Sequence, residues 1–239
     1  MNIKDIFSDQ FVNKTANKEN ILLISMYRFA YPFSLILNKL NLNPNQVTVA
    51  SLILTILACT SLIYLSAPLL FSIFWSLAIL FDFCDGTLAR MTGKLRTSAF
   101  RIDHFTDLIK LFLLFVSTGF YFNETNLWAL LITALFCYLL FGILQQELDN
   151  YSKNQEFSSR GSLPRKSILG SFASNLPSFL KKIFMSTFSI FFTINGHTLL
   201  VFIFLPYSLS LTFTLLVYFG LVSLLNLCIV IYKLKNLPR

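Results

Sequence analysis

The sequence predicts an all-α integral membrane protein: six transmembrane helices preceded by an interfacial amphipathic helix near the N-terminus. Only 13% of the 239 residues are charged and 55% are hydrophobic, whereas soluble domains average about 25% charged residues. Several apolar stretches are longer than the roughly 18 residues that a bilayer-spanning helix requires. Lysine and arginine concentrate in every second loop, the distribution that sets the orientation of a multi-pass protein.

The chain is predicted to divide into a cytoplasmic segment, residues 1–46, and a six-helix transmembrane domain, residues 47–239. Residues 21–40 are apolar but include Arg28, Pro32 and Lys39, which favours a helix lying in the membrane interface over one that crosses the bilayer. An Asn-Pro-Asn turn signal then precedes the first span. The spans are predicted at residues 47–65, 68–91, 98–122, 126–147, 186–206 and 208–233.

The positive charges support this topology. Of the 19 lysines and arginines, five precede the first span, four lie at the turn between the second and third spans, six lie in the basic loop 148–182, and three end the chain. The other three loops carry none, so both termini and the basic loops are expected in the cytoplasm. This topology signal also accounts for the net charge of +8, and no nucleic-acid partner is expected. The small size and the absence of an organelle signal favour a prokaryotic inner membrane.

Four aspartates lie inside the predicted spans, where ionisable side chains are costly and usually functional. Asp82 and Asp85 are three residues apart near the cytoplasmic end of the second span, so they share one helix face. Asp103 and Asp107 are four residues apart near the cytoplasmic start of the third span, and they also share a face. If the two faces meet, four carboxylates converge on one cavity.

Four carboxylates in one cavity require compensating positive charge. Hard divalent cations with oxygen ligands, Mg²⁺ or Mn²⁺, supply it, and this number of carboxylates makes a pair of metal ions plausible. Small residues, Gly86 and Ala89, follow each aspartate of the second span by one turn and let a ligand or a neighbouring helix approach. Arg90 and the basic residues after it indicate a phosphate-bearing substrate. For Lys94 and Arg96, a role in topology or headgroup binding is an equal alternative.

Residues 82–107 resemble the signature of the CDP-alcohol phosphotransferase family, DxxDGxxARx8GxxxDxxxD. Seven of its eight fixed residues are present, and the exception is Ala99, where the family usually has glycine. The predicted spans and the preceding interfacial helix are similar to the family as well. A weaker similarity is the run from Pro44 to Thr48, which resembles the PNxxT that often precedes the family's first span; as an alternative, Asn45 or Thr48 caps the helix.

The resemblance implies a two-metal mechanism. The family binds two divalent ions with the residues that match Asp82, Asp85, Asp103 and Asp107. The CDP diphosphate lies over the metals, with Asn45, Thr48, Gly86, Ala89 and Arg90 as the matching nucleotide- and phosphate-binding positions. The residue that matches Asp107 is held to be the base that takes the proton of the acceptor hydroxyl, after which CMP leaves. The family is usually dimeric, so the resemblance also makes a homodimer possible.

The resemblance leaves donor and acceptor open. Most bacterial-type relatives use CDP-diacylglycerol and a polar alcohol, which makes phosphatidyl transfer in phospholipid biosynthesis the favoured reaction. Another branch uses CDP-choline or CDP-ethanolamine and a lipid alcohol. Lys110, three residues after Asp107, is a candidate for binding a phosphorylated acceptor; the alternative is a lysine that extends towards the cytoplasmic interface. The loop 148–182 either closes over a substrate or binds headgroups.

Two rival functions have different requirements. An acid-lined transporter usually places its charges near the bilayer midplane within repeated units, whereas these aspartates cluster at one edge and no repeat is present. An inactive scaffold or lipid-binding relative would not require the base, and Asp107 is intact. Metal-dependent release of CMP separates the enzyme from both rivals.

Overall fold

A computed structural model describes residues 21–93, 97–158 and 198–235, together with residues 177, 180 and 183. The described elements are α1 (Ile21–Lys39), α2 (Pro44–Leu65), α3 (Pro68–Thr92), α4 (Thr97–Phe122), α5 (Thr125–Ser158), a 3₁₀ helix (Thr198–Tyr207) and α6 (Leu209–Lys235). All of the described secondary structure is helical. The predicted all-α class is therefore confirmed for this part of the chain.

Five of the described helices are long and apolar enough to cross a membrane, as in a multi-pass membrane protein. They are Pro44–Leu65, Pro68–Thr92, Phe105–Phe122, Thr125–Leu148 and Leu209–Lys235, and they coincide with five of the six predicted spans. Residues 186–197 of the predicted fifth span lie outside the described residues, and the rest of it belongs to the 3₁₀ helix. Six spans therefore stay a prediction, as does the interfacial position of α1.

The helix boundaries follow from local sequence signals. Asn43 is the N-cap of α2, and its backbone N–H donates to Oε1 of Gln46 at 2.8 Å, as in a capping box. Proline occupies the first position of both α2 and α3, where its missing N–H costs no intrahelical bond. Helix α3 ends at Gly93, whose φ of 67° is the left-handed conformation that glycine adopts without strain.

The end of α5 differs from the prediction. The basic loop was expected to begin at residue 148, but the helix continues to Ser158. The ten residues after Leu148 contain neither glycine nor proline, the two residues that most readily end a helix. They are largely polar, so they lengthen the helix without lengthening its apolar part. The remainder of that loop, 159–182, lies outside the described residues except for 177 and 180.

Helices α1, α2, α3 and α4 are connected through direct contacts with α2 or α3. Helix α2 packs most extensively against α3 and also contacts α4; α1 packs against α3, and α5 packs against α6. The hydroxyl of Ser51 on α2 donates to the carbonyl of Ala78 on α3 at 2.7 Å. Small hydroxyl residues of this kind let helices approach closely in a membrane. Asp82 and Asp85 belong to the α2–α3 pair, whereas Asp103 and Asp107 belong to α4.

Aromatic rings form part of the buried core. The rings of Phe71 and Trp75 stack at 5.7 Å, and Phe115, Phe202 and Phe219 form edge-on contacts at centroid distances from 5.3 to 6.1 Å. The first contact lies within α3, and the other three connect α4, the 3₁₀ helix and α6. Many large apolar side chains on the outer surface are exposed instead, as expected of helices that face lipid.

Candidate active site

The last three turns of α3 carry the first acidic pair. Asp82 and Asp85 are one turn apart on the same helix face. Asp85 is buried, with 7% of its surface exposed, whereas the side chain of Asp82 is 24% exposed. Asp82 is therefore the more accessible of the two carboxylates.

A buried lysine joins the carboxylates of α3 and α4. Nζ of Lys110 forms an ion pair with Oδ1 of Asp82 and lies 3.5 Å from Oδ1 of Asp107. Only 5% of the lysine side chain is exposed, so it is packed among the helices and does not extend into solvent. One ammonium group therefore contacts a carboxylate from each helix, while the convergence of all four aspartates stays a prediction.

The second carboxylate of α3 has a partner on α2. Oγ1 of Thr48 donates to Oδ2 of Asp85 at 2.6 Å, and both residues are buried. Thr48 also donates to the carbonyl of Pro44 at 3.2 Å. The N-cap of α2 is Asn43, so the alternative that Asn45 or Thr48 serves only as a cap is wrong. Asn45 is exposed in the first turn of the helix, and its nucleotide-binding role stays a prediction.

Arg90 folds back along α3 towards Gly86. A Cβ atom built on Gly86 would lie 3.5 Å from Nη1 of Arg90, so the space beside this glycine is bordered by the guanidinium. Nη2 of Arg90 donates to Oγ1 of Thr87 at 3.4 Å. Ala89, which was predicted to make room for the nucleotide, is half-buried, and its carbonyl accepts the N–H that caps the helix. Arg90 is therefore kept close to the turn that contains the aspartates.

Sequence reasoning missed Tyr27, which α1 brings against Arg90. The guanidinium carbon of Arg90 lies 4.8 Å from the centroid of the Tyr27 ring, within cation–π range. Burial raises the pKa of the Tyr27 phenol, and the neighbouring guanidinium only partly offsets this effect. The ring is therefore neutral at physiological pH. No motif points to Tyr27, because its contact depends on how α1 docks on α3.

A small cavity includes Asp82 and Lys110 in its lining. The lining is otherwise mostly apolar and comprises Thr55, Trp75, Ala78, Ile79, Asp82, Lys110 and Leu199. The indole Nε1 of Trp75 donates to the carbonyl of Leu199 at 3.2 Å. This bond joins α3 to the 3₁₀ helix at the cavity. Spacing along the chain gave no signal for a residue as distant as Leu199.

The donor set fits a hard divalent cation in type. Asp82 and Asp107 both contact the ammonium group of Lys110, so one positive charge lies between these two carboxylates. Among the residues with described side chains, no three acidic, histidine or cysteine side chains are grouped closely enough to hold a metal ion. The side chain of Asp103, predicted as the fourth ligand, lies outside the described part of α4.

Comparison with known proteins identifies the family of this chain. Among curated proteins, none matches this chain. A family model described as CDP-alcohol phosphatidyltransferase matches residues 41–195, more than half of the 239-residue chain. The matched range contains every predicted site residue, whereas α1 and Tyr27 precede it. The chain therefore belongs to the CDP-alcohol phosphatidyltransferases.

Proposed function

We propose that this protein transfers a phosphatidyl group from CDP-diacylglycerol to an alcohol in phospholipid biosynthesis, with release of CMP. Family membership supports transfer from a CDP-alcohol. The observation that carries the proposal is that Asp82 and Asp107, from two helices, both contact the buried ammonium group of Lys110. Partly exposed carboxylates from two helices are suited to binding a metal-bound diphosphate.

Asp107 is proposed as the general base. Its side chain is 38% exposed, compared with 24% for Asp82, and Asp85 is buried. An acceptor alcohol must approach from outside the bundle, so the most open of these three carboxylates is the best placed to receive its proton. The alcohol oxygen then bonds to the phosphorus that bears diacylglycerol, and the bond from that phosphorus to CMP breaks with its electron pair leaving on CMP.

Two Mg²⁺ or Mn²⁺ ions are proposed as cofactors, held by Asp82, Asp85, Asp103 and Asp107. Such ions would stabilise negative charge on the diphosphate and on the leaving group. Thr48 orients the carboxylate of Asp85 through its 2.6 Å hydrogen bond, the kind of outer contact that fixes a ligand's rotamer. Asn45, Gly86, Ala89 and Arg90 are proposed to bind the nucleotide and its phosphates, and Lys110 stays a candidate for contacting the acceptor.

The site is proposed to open to the cytoplasm, with both termini on that side of an inner membrane. The charge distribution supports this orientation. Lys39 is exposed at the end of α1, so a Lys39→Cys variant should react with an impermeant maleimide in inverted vesicles. Labelling in intact cells and not in inverted vesicles would contradict the orientation. The homodimer stays a prediction.

The first experiment measures CMP release by the purified full-length protein. CDP-diacylglycerol is offered with glycerol phosphate, serine and inositol phosphate, and CDP-choline and CDP-ethanolamine are offered with diacylglycerol. We expect release with CDP-diacylglycerol and one acceptor, loss of activity with a chelator, and recovery with Mg²⁺ or Mn²⁺. Asp107→Asn should reduce turnover by about 10²- to 10⁴-fold, the usual contribution of a positioned base. Glu124→Gln, an exposed residue before α5, is the matched control.

The outcomes separate the alternatives. Release only from CDP-choline or CDP-ethanolamine would place the lipid on the acceptor. Unchanged release by Asp107→Asn would refute the assignment of the base, and release that survives chelation would refute the metal mechanism. No release with any pair would favour a scaffold or a transporter.

A further inference from the structure

Helix α1 is joined to α3 at the turn that carries the aspartates. Oγ of Ser34 donates to the carbonyl of Ala30 at 3.0 Å and to the carbonyl of Cys84 at 3.4 Å, and Sγ of Cys84 donates to the carbonyl of Ala30 at 3.5 Å. Ala30 and Ser34 are fully buried. Cys84 lies between Asp82 and Asp85, so α1 is fixed against the catalytic segment itself.

Tyr27 lies one turn before Ala30 on α1 and contacts Arg90 near the end of α3. Its ring meets Phe83 edge-on at 5.2 Å, and its centroid lies 4.8 Å from the guanidinium carbon of Arg90. The same guanidinium donates to Oγ1 of Thr87. Arg90 is thus held between an aromatic face from α1 and a hydroxyl from α3. A long arginine side chain that is held in one place loses less conformational freedom when it binds a ligand.

We propose that Tyr27 is a positioning residue for Arg90, through which α1 takes part in binding the CDP diphosphate. The proposal rests on the assigned function, since it requires Arg90 to contact the donor. The guanidinium lies next to Gly86, which is one turn from Asp82. The diphosphate is expected on this side of α3. Tyr27 precedes residues 41–195, the range that matches the family, so this contact comes from outside the matched domain.

A double-mutant cycle on CDP binding tests the proposal without requiring turnover. The full-length protein in detergent is titrated with CDP in the presence of Mg²⁺ by calorimetry, as wild type, Tyr27→Leu, Tyr27→Phe, Arg90→Ala and the Tyr27→Leu/Arg90→Ala double variant. Phe29→Leu is the matched control, because Phe29 is 61% exposed on the same helix. A desolvated cation–π contact contributes enough that Tyr27→Leu should weaken binding by about five- to tenfold.

The expected pattern distinguishes positioning from general packing. Tyr27→Phe retains the ring face but loses the phenol oxygen, which also interacts with Arg90, so its affinity for CDP should lie between those of wild type and Tyr27→Leu. The double variant should bind no more weakly than Arg90→Ala, since Tyr27 acts through Arg90. Wild-type affinity in Tyr27→Leu, or additive losses in the double variant, would overturn the proposal. CDP binding without CMP release would reject the proposed reaction alone, and a wild type that does not bind CDP would reject both.

Discussion

Replacing Lys110 by methionine should destabilise the protein unless a divalent cation is supplied. Methionine has a similar length but no charge, so the variant leaves Asp82 without the ammonium that it contacts. Removing one partner of a buried ion pair costs about 3–5 kcal/mol. Because Asp82 is 24% exposed and Asp107 is 38% exposed, water screens part of this loss, and we expect about 3 kcal/mol.

Thermal unfolding in detergent provides the assay. For a chain of about this size, each kcal/mol shifts Tm by about 2–4 °C, so Lys110→Met should lower Tm by about 6–12 °C in the presence of a chelator. Lys39→Met, at an exposed lysine, is the control and should leave Tm unchanged. Added Mg²⁺ or Mn²⁺ should restore more of Tm in Lys110→Met than in wild type, since it supplies the missing charge. A Tm within about 2 °C of wild type under chelation would refute the reasoning.

Two further substitutions test packing and the outer contacts of the site. Gly119→Ala should destabilise the protein by about 1–3 kcal/mol, because the new Cβ would lie 2.7 Å from ring atoms of Trp128; Gly142→Ala, which meets nothing within 4 Å, should be neutral or stabilising in the same thermal assay. Thr48→Val should lower CMP release by about tenfold, because Asp85 loses a charged hydrogen bond. Thr48→Ser should retain activity, and equal rates in both variants would exclude an orienting role.

The spans were predictable because the lengths of the apolar stretches and the distribution of lysine and arginine can be read directly from the sequence. The second span was predicted at 68–91 and the helix runs from Pro68 to Thr92; the last was predicted at 208–233 and runs from Leu209 to Lys235. The end of α5 was less predictable. Polar residues are compatible with both helix and loop, and neither glycine nor proline is present to end the helix.

The site was predictable only within each helix. A period of 3.6 residues places Asp82 and Asp85 on one face, but it does not say which partner that face meets. The contacts between helices depend on how each helix is rotated in the bundle. Lys110 pairs with Asp82 and Thr48 binds Asp85, and neither contact was predicted. The sequence had suggested acceptor binding or extension towards the interface for Lys110, and nucleotide binding or helix capping for Thr48. Acceptor binding by Lys110 and nucleotide binding by Thr48 stay predictions.

The length of α5 determines where the basic loop begins. The apolar part of this helix ends by Leu148, and the helix continues for ten residues to Ser158. At a rise of about 1.5 Å per residue, these ten residues extend up to about 15 Å beyond the span. The polar headgroup layer on each side of a bilayer is only about 5–8 Å deep. A helix of this length that crosses the bilayer along its normal therefore ends in water, beyond the lipid phosphates on its polar side.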